Sequence, residues 1–407
     1  MLCIVNCGVK MTAKKIIIVS QHFPPEIGAA SNRIEHLTRH FTKLGHDVFI
    51  VTSQPVYPNR NLYERQASRV KEKGYSLYRV PSINLGNGVL ARLGQWILFL
   101  LMASFLTLFL AYRYRIKNCI TTSPPFSVNF IGWLFRFTGW KRKWIMEVRD
   151  LWPDSITAVG MLNNRHLLIR LLRMLESHFY RVASMIVVVT PHTKRILEER
   201  RIPNNKISVI TNGIPDWVNE MKSCKSKRPF PETEFLILYA GNLGKSQNLT
   251  LLLDVAELMP QFKFIIIGDG LEKNMLIDYA EKKHLHNVTF MDAILDKREL
   301  AKWYSYADIG VISLIEASLF EHVIPSKLFE YAAFELPVLY IGKGEGAELV
   351  SLYRLGRVAN PIKEEIFNEI ARMYDNINKY RENNAERNRF AAHYQWSNLA
   401  KYYSELI

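Results

Sequence analysis

The sequence predicts two doubly wound α/β domains, each built on a parallel sheet. The chain has 407 residues, more than a single domain usually contains. Apolar runs that suit buried strands alternate with helical patterns, which is typical of parallel βαβ units. A polar, proline-containing stretch at 214–234 interrupts this alternation, which then restarts. We therefore expect domains at 1–213 and 235–385, a linker at 214–234, and a final helical segment at 386–407.

The individual elements follow from the periodicity of the apolar residues. The first strand is predicted at 14–21, where KKIIIVSQ is a continuous apolar run. The next helix, at 32–44, places Ile34, Leu37, Phe41 and Leu44 on one face. The other predicted strands are 47–53, 75–80, 118–123, 143–150, 183–190, 207–213, 235–241, 262–270, 288–293, 307–314 and 337–342.

The charge is distributed unevenly along the chain. Residues 1–215 hold 30 Lys and Arg and 11 Asp and Glu, a net charge of +19, whereas residues 216–407 hold 23 and 27, a net of −4. A basic first half attracts nucleic acid, acidic lipid headgroups or phosphorylated substrates, and solubility alone is the alternative. The four cysteines form no cluster with metal-ligand spacing. We therefore expect a reduced, cytosolic chain without a metal site.

A long uncharged segment occupies residues 93–112, with the sequence LGQWILFLLMASFLTLFLAY. Arg92 precedes it, and Arg113, Arg115 and Lys117 follow. Twenty uncharged residues are just long enough to span a bilayer, but a span would separate strands of one sheet. Three interpretations stay open: a transmembrane span, a helix that lies in a membrane surface, and a buried core helix. We expect the surface helix.

Ligands of open α/β sheets bind at the carboxyl ends of the strands, so the loops that follow strands are the candidate sites. In the first half, the loop at 21–33 has small residues around Gly28, although an ordinary strand–helix loop is the alternative. The loop at 147–155 combines Glu147, Arg149, Asp150 and Asp154 at one strand end. That cluster suits tuned protonation, or a structural ion pair between Arg149 and a carboxylate.

In the second half, AGNLGKSQN at 240–248 has the strand–glycine–helix layout of an anion site, with Lys245 as its cation. IGDG at 267–270 suits contact with a base edge, or is a plain turn. Ser326 is predicted to cap a helix whose first turn contains Lys327. A lysine there opposes the helix dipole, so an anionic ligand would explain it. Glu330 lies one turn on, and a surface Lys–Glu pair is the alternative.

The motifs together resemble glycosyltransferase family 4, over nearly the whole chain. The matching segments, in order, are FPPEIGAASNRIEHLTRHFTKLGHDVFIVTS, TTSPPF, EVRDLWPDSI, VITNGI, YAGNLG, IIIGDG, YSYADIGVISL and PSKLFEYAAFELPV. EVRDLWPDS and PSKLFEY are most similar to bacterial O-antigen and capsule transferases that include an L-fucosamine transferase subgroup. The resemblance implies the GT-B fold, in which two Rossmann-like domains face a cleft and the final helix crosses back to the first domain.

The resemblance also implies roles for residues. Asp150, preceded here by Arg149, would lie beside the transferred sugar, and Lys327 would neutralise the diphosphate. Glu330 would bind the ribose, and the family's other glutamate, eight residues earlier, falls on His322 with Glu321 beside it, so these two are the candidate sugar contacts. The remaining donor-binding assignments, to the phosphates and the base, are Gly28, Gly241, Asn242, Lys245, Gly268, Asp269, Gly270 and Ser326.

The resemblance implies a retaining, metal-independent transferase without a cofactor. The expected donor is a nucleotide-sugar, UDP-linked, such as an N-acetylated deoxyhexosamine. The expected acceptor is a polyprenyl-diphosphate-linked saccharide of O-antigen or capsule. The protein should be cytoplasmic, peripheral at the inner face of the cell membrane, and without a nucleic-acid partner. The alternatives are a nucleotide-sugar epimerase of the same fold and a basic nucleic-acid-binding protein, which is suggested by charge alone.

Overall fold

A computed structural model of the chain describes residues 13–26, 28–55, 69–72, 74–81, 89–139, 141–154, 167–221, 228–231, 233–294, 296–316 and 320–407. The chain forms two compact units. The first comprises the chain up to Ile210 together with Leu399–Ile407, and the second is Thr211–Asn398.

The first unit is built on an eight-stranded sheet with the order β3-β4-β2-β1-β5-β6-β7-β8. The paired strands are parallel, except that β3 is antiparallel to β4 and was not predicted from the sequence. The strands are β1 (Lys15–Val19), β2 (Asp47–Ser53), β3 (Arg69–Glu72), β4 (Tyr75–Val80), β5 (Asn118–Ser123), β6 (Lys143–Val148), β7 (Met185–Val188) and β8 (Ile207–Val209).

Helices cover both faces of this sheet. They are α1 (Ala29–Lys43), α2 (Val89–Arg113), α3 (Val128–Phe137), α4 (Leu167–Val182) and α5 (Pro191–Glu199). The predicted apolar face of α1 is buried at Ile34, Leu37 and Phe41, whereas Leu44 lies beyond the helix end and is partly exposed. Right-handed crossovers place α1 on one face of the sheet and α2 to α5 on the other.

Helix α2 contains the uncharged segment 93–112. Phe99, Ala103 and Leu110 pack into the core of the first unit with residues of β1 and β2. Other apolar side chains of α2 remain exposed, among them Phe105 and Phe109. Within the described residues, this is the one helix long and apolar enough to cross a membrane, and only 28% of that stretch is buried. One face of α2 therefore belongs to the core, and the opposite face does not.

The second unit has a six-stranded parallel sheet with the order β11-β10-β9-β12-β13-β14. Its strands are β9 (Leu236–Ala240), β10 (Lys263–Ile267), β11 (Val288–Met291), β12 (Ile309–Ser313), β13 (Val338–Ile341) and β14 (Gly356–Ala359). The helices that come after α5 in the chain are α6 (Asp216–Met221), α7 (Leu249–Leu258), α8 (Lys273–Lys282), α9 (Lys297–Tyr306), α10 (Ser326–Ala333), α11 (Glu345–Leu352), α12 (Lys363–Asp375), α13 (Ile377–Arg381), α14 (Asn384–Tyr394) and α15 (Trp396–Leu406).

The structure differs from the predicted boundaries at two places. The segment 214–234 is not simply a polar linker, because Ile214 and Val218 around α6 are buried in the core of the second unit. The two residues are four positions apart, which is a helical spacing. The polar composition of the segment did not indicate this pair. At the other end, α14 stays with the second unit, where Phe390 contacts Phe329 of α10. Most of α15, from Leu399 onward, belongs to the first unit, where Tyr403 contacts Phe41.

The two faces of α2 predict opposite responses to the same substitution. Phe99→Ala should lower the free energy of unfolding by about 3–5 kcal/mol, because it opens a cavity in the core. Phe105→Ala, at a side chain that is 75% exposed, should change it by less than about 0.5 kcal/mol. Chemical denaturation followed by fluorescence measures both, and equal losses would contradict the assignment of the two faces.

Candidate active site

The loop after β1 ends at Gly28, directly before α1. Among the described residues, no heavy atom lies within 4 Å of the position a Cβ on Gly28 would take, and no side chain caps the helix N-terminus. Nearby in the chain, Gln21 Oε1 and Ser31 Oγ are buried without a hydrogen-bond partner among the described residues. Unpaired N–H groups at a helix start attract anions. Gln21 and Ser31 therefore join Gly28 as candidate ligand contacts, although the sequence did not single them out.

Glu147, at the carboxyl end of β6, is a structural residue. It is fully buried and accepts hydrogen bonds from Arg33 Nη2 and Thr122 Oγ1, each at 2.9 Å. Arg33 Nη2 also donates to the carbonyl of Ile210 at 2.8 Å. Burial alone would raise the pKa of Glu147, but the Arg33 charge and these hydrogen bonds hold it below its ordinary value. The ion pair expected at this strand end therefore uses Arg33 from α1 and not Arg149.

Asp150 and Arg149 follow β6 directly. Asp150 as a residue is exposed to solvent. The protein atoms around its carboxyl group desolvate the carboxylate and raise its pKa, and the positive charge of Arg149 opposes this shift. Arg149 forms no ion pair with a described carboxylate. An accessible carboxylate at the end of a central strand is available to a ligand.

Asp154, the fourth member of the predicted cluster, points to a different group of residues. It pairs with Arg173 of α4 at 2.9 Å and with Arg200. Arg200 also pairs with the buried Glu176 at 3.0 Å. Burial, opposed by a hydrogen bond from Tyr180 and the charge of Arg200, raises the pKa of Glu176 to about 7. Asp154 is therefore part of a structural network and is separated from Asp150.

In the second unit, Lys327 is the second residue of α10, and its amine lies 3.9 Å from the centre of the Tyr239 ring. A Cβ on Gly241 would lie 2.3 Å from Lys327 Nζ, so glycine is what lets the amine approach the loop after β9. Lys327 forms no hydrogen bond or ion pair with any residue that the structure describes. Burial lowers the pKa of Lys327 to about 7, and Glu330 opposes this shift. A cation enclosed in this way is stabilised by an anionic ligand.

Glu330 is held in place by a residue that the sequence did not suggest. Its Oε2 accepts a hydrogen bond of 2.7 Å from Tyr304 of α9, and the carboxylate is buried. Its Oε1 accepts no hydrogen bond from a described residue and is available to a ligand hydroxyl. Tyr331 in turn contacts the Tyr304 ring edge-on and accepts a hydrogen bond from Ala240 N at 3.1 Å. The alternative of a surface Lys–Glu pair is therefore wrong for Glu330, because its carboxylate is buried.

Two predicted glycines have a packing role. A Cβ on Gly268 would lie 1.9 Å from the carbonyl of Gly241, and one on Gly270 would lie 2.3 Å from the carbonyl of Leu243. The loops after β9 and β10 thus touch backbone to backbone, which explains both glycines without a base contact. Asp269 between them is exposed, and its Oδ1 accepts a hydrogen bond from Gly270 N.

The remaining predicted residues lie on the same unit with less definite roles. Ser326 is not a cap, because α10 begins at Ser326 itself and Pro325 occupies the cap position. Asn242 donates to Gln247 Oε1 at 3.1 Å, and Lys245 is exposed at the start of the following 3-10 turn. Glu321 and His322 form another 3-10 turn and are partly exposed. The structure therefore brings Gly241, Gly268, Lys327 and Glu330 into one cluster around Tyr239 and Tyr331.

A surface cavity of about 470 Å³ lies at the carboxyl ends of β13 and β14, and none of the predicted donor residues line it. Among the residues that the structure describes, no three His, Cys, Asp or Glu side chains are grouped so that they could hold a metal ion.

Two family descriptions match the chain. The glycosyl transferase 4-like domain matches residues 28–213, and the glycosyl transferases group 1 domain matches residues 221–390. The chain belongs to glycosyltransferase family 4. It is therefore a transferase that moves sugars, as the resemblance of its motifs implied.

Three bacterial relatives of this chain are described as glycosyltransferases, two of them of O-antigen or amylovoran biosynthesis. The Pseudomonas aeruginosa protein described as probable glycosyltransferase WbjE is 25% identical over 51% of this chain and 52% of its own length. The O-antigen biosynthesis glycosyltransferase WbnH of Escherichia coli is 23% identical over 46% and 50%. The amylovoran biosynthesis glycosyltransferase AmsD of Erwinia amylovora is 27% identical over 58% and 63%. The chain thus spans little more than half of these relatives.

Solved structures share the fold of the glycosyltransferase over nearly its whole length. Sucrose-phosphate synthase of Thermosynechococcus elongatus has a TM-score of 0.74 at 17% identity, with 97% of this chain and 98% of that chain covered. WaaG, a glycosyltransferase involved in lipopolysaccharide biosynthesis, has a TM-score of 0.67 at 13% identity, with 96% and 99% covered. HepE of Anabaena, solved with UDP and glucose, has a TM-score of 0.66 at 14% identity, with 96% and 98% covered. The predicted GT-B fold, with two parallel-sheet α/β units, is confirmed.

Proposed function

We propose that this glycosyltransferase transfers a sugar, with retention of configuration, from a UDP-sugar to a polyprenyl-diphosphate-linked saccharide. One observation carries the donor half of the proposal. Lys327 is an enclosed amine beside Gly241 at the start of α10, and no described carboxylate forms an ion pair with it. A donor diphosphate supplies a negative partner, and the N–H groups at the start of α10 add hydrogen bonds.

The chemistry assigns a task to each group in the cluster. During transfer the bond between the sugar C1 and the diphosphate breaks, C1 bonds to the acceptor oxygen, and the proton of the acceptor hydroxyl passes to the departing diphosphate. Negative charge grows on the departing diphosphate, where the ammonium of Lys327 stabilises it, with Lys245 as a second cation. Glu330, oriented by Tyr304, binds the ribose hydroxyls through its unpaired oxygen. In the first unit, Gly28 and Asp150 are proposed to contact the diphosphate and the sugar.

The proposed pathway rests on the relatives. WbnH is named for the biosynthesis of O-antigen, and AmsD for the biosynthesis of amylovoran. We place this enzyme in the assembly of such a polymer, as O-antigen or capsule, at the cytoplasmic face of the cell membrane. The motifs EVRDLWPDS and PSKLFEY favour an N-acetylated deoxyhexosamine of the L-fucosamine type as the sugar.

Substitution of the two principal donor residues tests the site. Lys327→Ala and Glu330→Gln should each lower kcat/KM by at least about 100-fold, because each removes a contact with the donor. Glu330→Gln keeps an acceptor for Tyr304, so the fold should be retained. Lys282→Ala and Glu281→Ala, on the exposed end of α8, are matched controls with unchanged activity. Near-normal activity in both site variants would contradict the assignment of Lys327 and Glu330 to the donor site.

Donor affinity should depend on pH through Lys327. In the free protein the pKa of Lys327 is lowered to about 7, so the amine is mostly neutral above that pH. A diphosphate favours the ammonium, so binding above pH 7 takes up a proton. Affinity for a UDP-sugar should be constant below about pH 7 and should fall up to about tenfold per unit above it. Calorimetry in buffers of different ionisation enthalpy measures the proton uptake, which Lys327→Arg should abolish.

Metal dependence is the third test of the proposal. Because cationic side chains are proposed to stabilise the leaving diphosphate, transfer should persist in excess EDTA. Complete loss of activity that Mg²⁺ or Mn²⁺ restores would show instead that a divalent ion takes the role assigned to Lys327.

A further inference from the structure

The outward side of α2 carries an uninterrupted apolar row. Its core-facing residues, Phe99, Ala103 and Leu110, alternate with residues that point away from the sheet. Phe105 is 75% exposed and Tyr112 is 85% exposed. The complete row, with helical spacing of three or four, is Ile97, Leu101, Phe105, Phe109 and Tyr112. The core of the first unit does not need these side chains, so the fold does not explain them.

A second apolar row lies on α4. Ile169 and Phe179 anchor this helix in the core, whereas four residues of its first two turns are apolar and exposed, with the exposed Arg170 among them. The four apolar residues are Leu167, Leu168, Leu171 and Met174. Helix α3 lies between α2 and α4 and contacts both, and its last residue, Phe137, is also exposed. We call the two rows and Phe137 together the apolar face. Soluble monomers rarely expose apolar surface of this extent without a partner.

Positive charge borders the apolar face. Residues 73–146, which include α2 and α3, contain ten Lys and Arg and no Asp or Glu. Exposed basic residues lie where α2 and α3 end, before the strands that follow them: Arg113, Arg115, Lys117 and Lys141. An exposed apolar surface beside unpaired positive charge is the combination that binds anionic lipid surfaces.

We infer that the apolar face docks onto an anionic bilayer, with α2 and α4 lying in the interface. A nucleic acid would satisfy the charges but would leave both apolar rows in water. A transmembrane span would pull Phe99, Ala103 and Leu110 out of the core. The inference deepens the proposed function, because a lipid-linked acceptor lies in the bilayer, but docking itself requires neither donor nor acceptor.

Cosedimentation of the full chain with vesicles of phosphatidylcholine, with or without about 30% phosphatidylglycerol, tests the inference. Two variants remove one row each: Leu101→Ser/Phe105→Ser/Phe109→Ser on α2 and Leu167→Ser/Leu171→Ser/Met174→Ser on α4. Each should lower partitioning to anionic vesicles by at least about tenfold. The matched control is Leu271→Ser/Leu352→Ser, which replaces exposed leucines of the second unit and should bind like the wild type.

The charge component has its own pair of variants. Arg113→Gln/Lys117→Gln should weaken binding at low salt and reduce its salt dependence, whereas Lys282→Gln/Lys379→Gln, on the second unit, should not. Wild-type binding should weaken with salt but persist, because the apolar rows contribute independently of charge.

Three results would overturn the inference. They are a folded wild type that does not bind anionic vesicles at low salt, an α4 variant that binds like the wild type, and apolar variants that dissociate a dimer while vesicle binding is unchanged.

Thermal shift with UDP is measured on every variant. An intact response to UDP with lost vesicle binding separates the docking surface from the donor site, and failure of the wild type to respond to UDP counts against the donor proposal alone.

Discussion

A parallel sheet needs apolar cover on both faces, and its strands end together at one edge. In each unit this constraint places the helices in two layers and gathers the loops that follow the strands. Gly28 and Asp150 end up at the carboxyl edge of one sheet, and Gly241 and Gly268 at that edge of the other. The same constraint explains the buried Arg33–Glu147 pair. Arg33 lies on α1, which covers the sheet, and it meets the Glu147 carboxylate of β6, which Thr122 of β5 also contacts.

Within the second unit the arrangement around Lys327 depends on the absence of side chains at Gly241 and Gly268. The amine of Lys327 takes the space that a side chain on Gly241 would fill, and Gly268 lets the next loop press against the same carbonyl. Tyrosines then close the site: Tyr239 lies beneath the amine, and Tyr304 fixes the Glu330 carboxylate. Burial of the Lys327 amine lowers its pKa to about 7, and this shift is the reason that the proposed donor binding is coupled to proton uptake.

Helix α2 has two physical tasks on its two faces. Its inner face supplies the apolar cover that β1 and β2 require. Its outer face packs against no core of the described residues, and helix α4, on the other side of α3, also exposes apolar side chains. Two of the three interpretations of segment 93–112, the core helix and the surface helix, are thus compatible, since one helix is a core element on one side and an exposed apolar surface on the other.

The sequence by itself determined the fold class and the strands of both sheets other than β3 and β14, and it singled out Gly241, Gly268 and Lys327, which the structure brings together. These follow from period and local composition, which depend on neighbours in the chain. Only the tertiary structure decided that Glu147 pairs with Arg33, that Asp154 pairs with Arg173 and Arg200, and that Tyr304 holds Glu330. It also divided the apolar residues of α2 between core and surface. Side chains far apart in the chain meet only once the sheets are formed, so no local pattern records which partner a charge will find or which face of an apolar helix stays exposed.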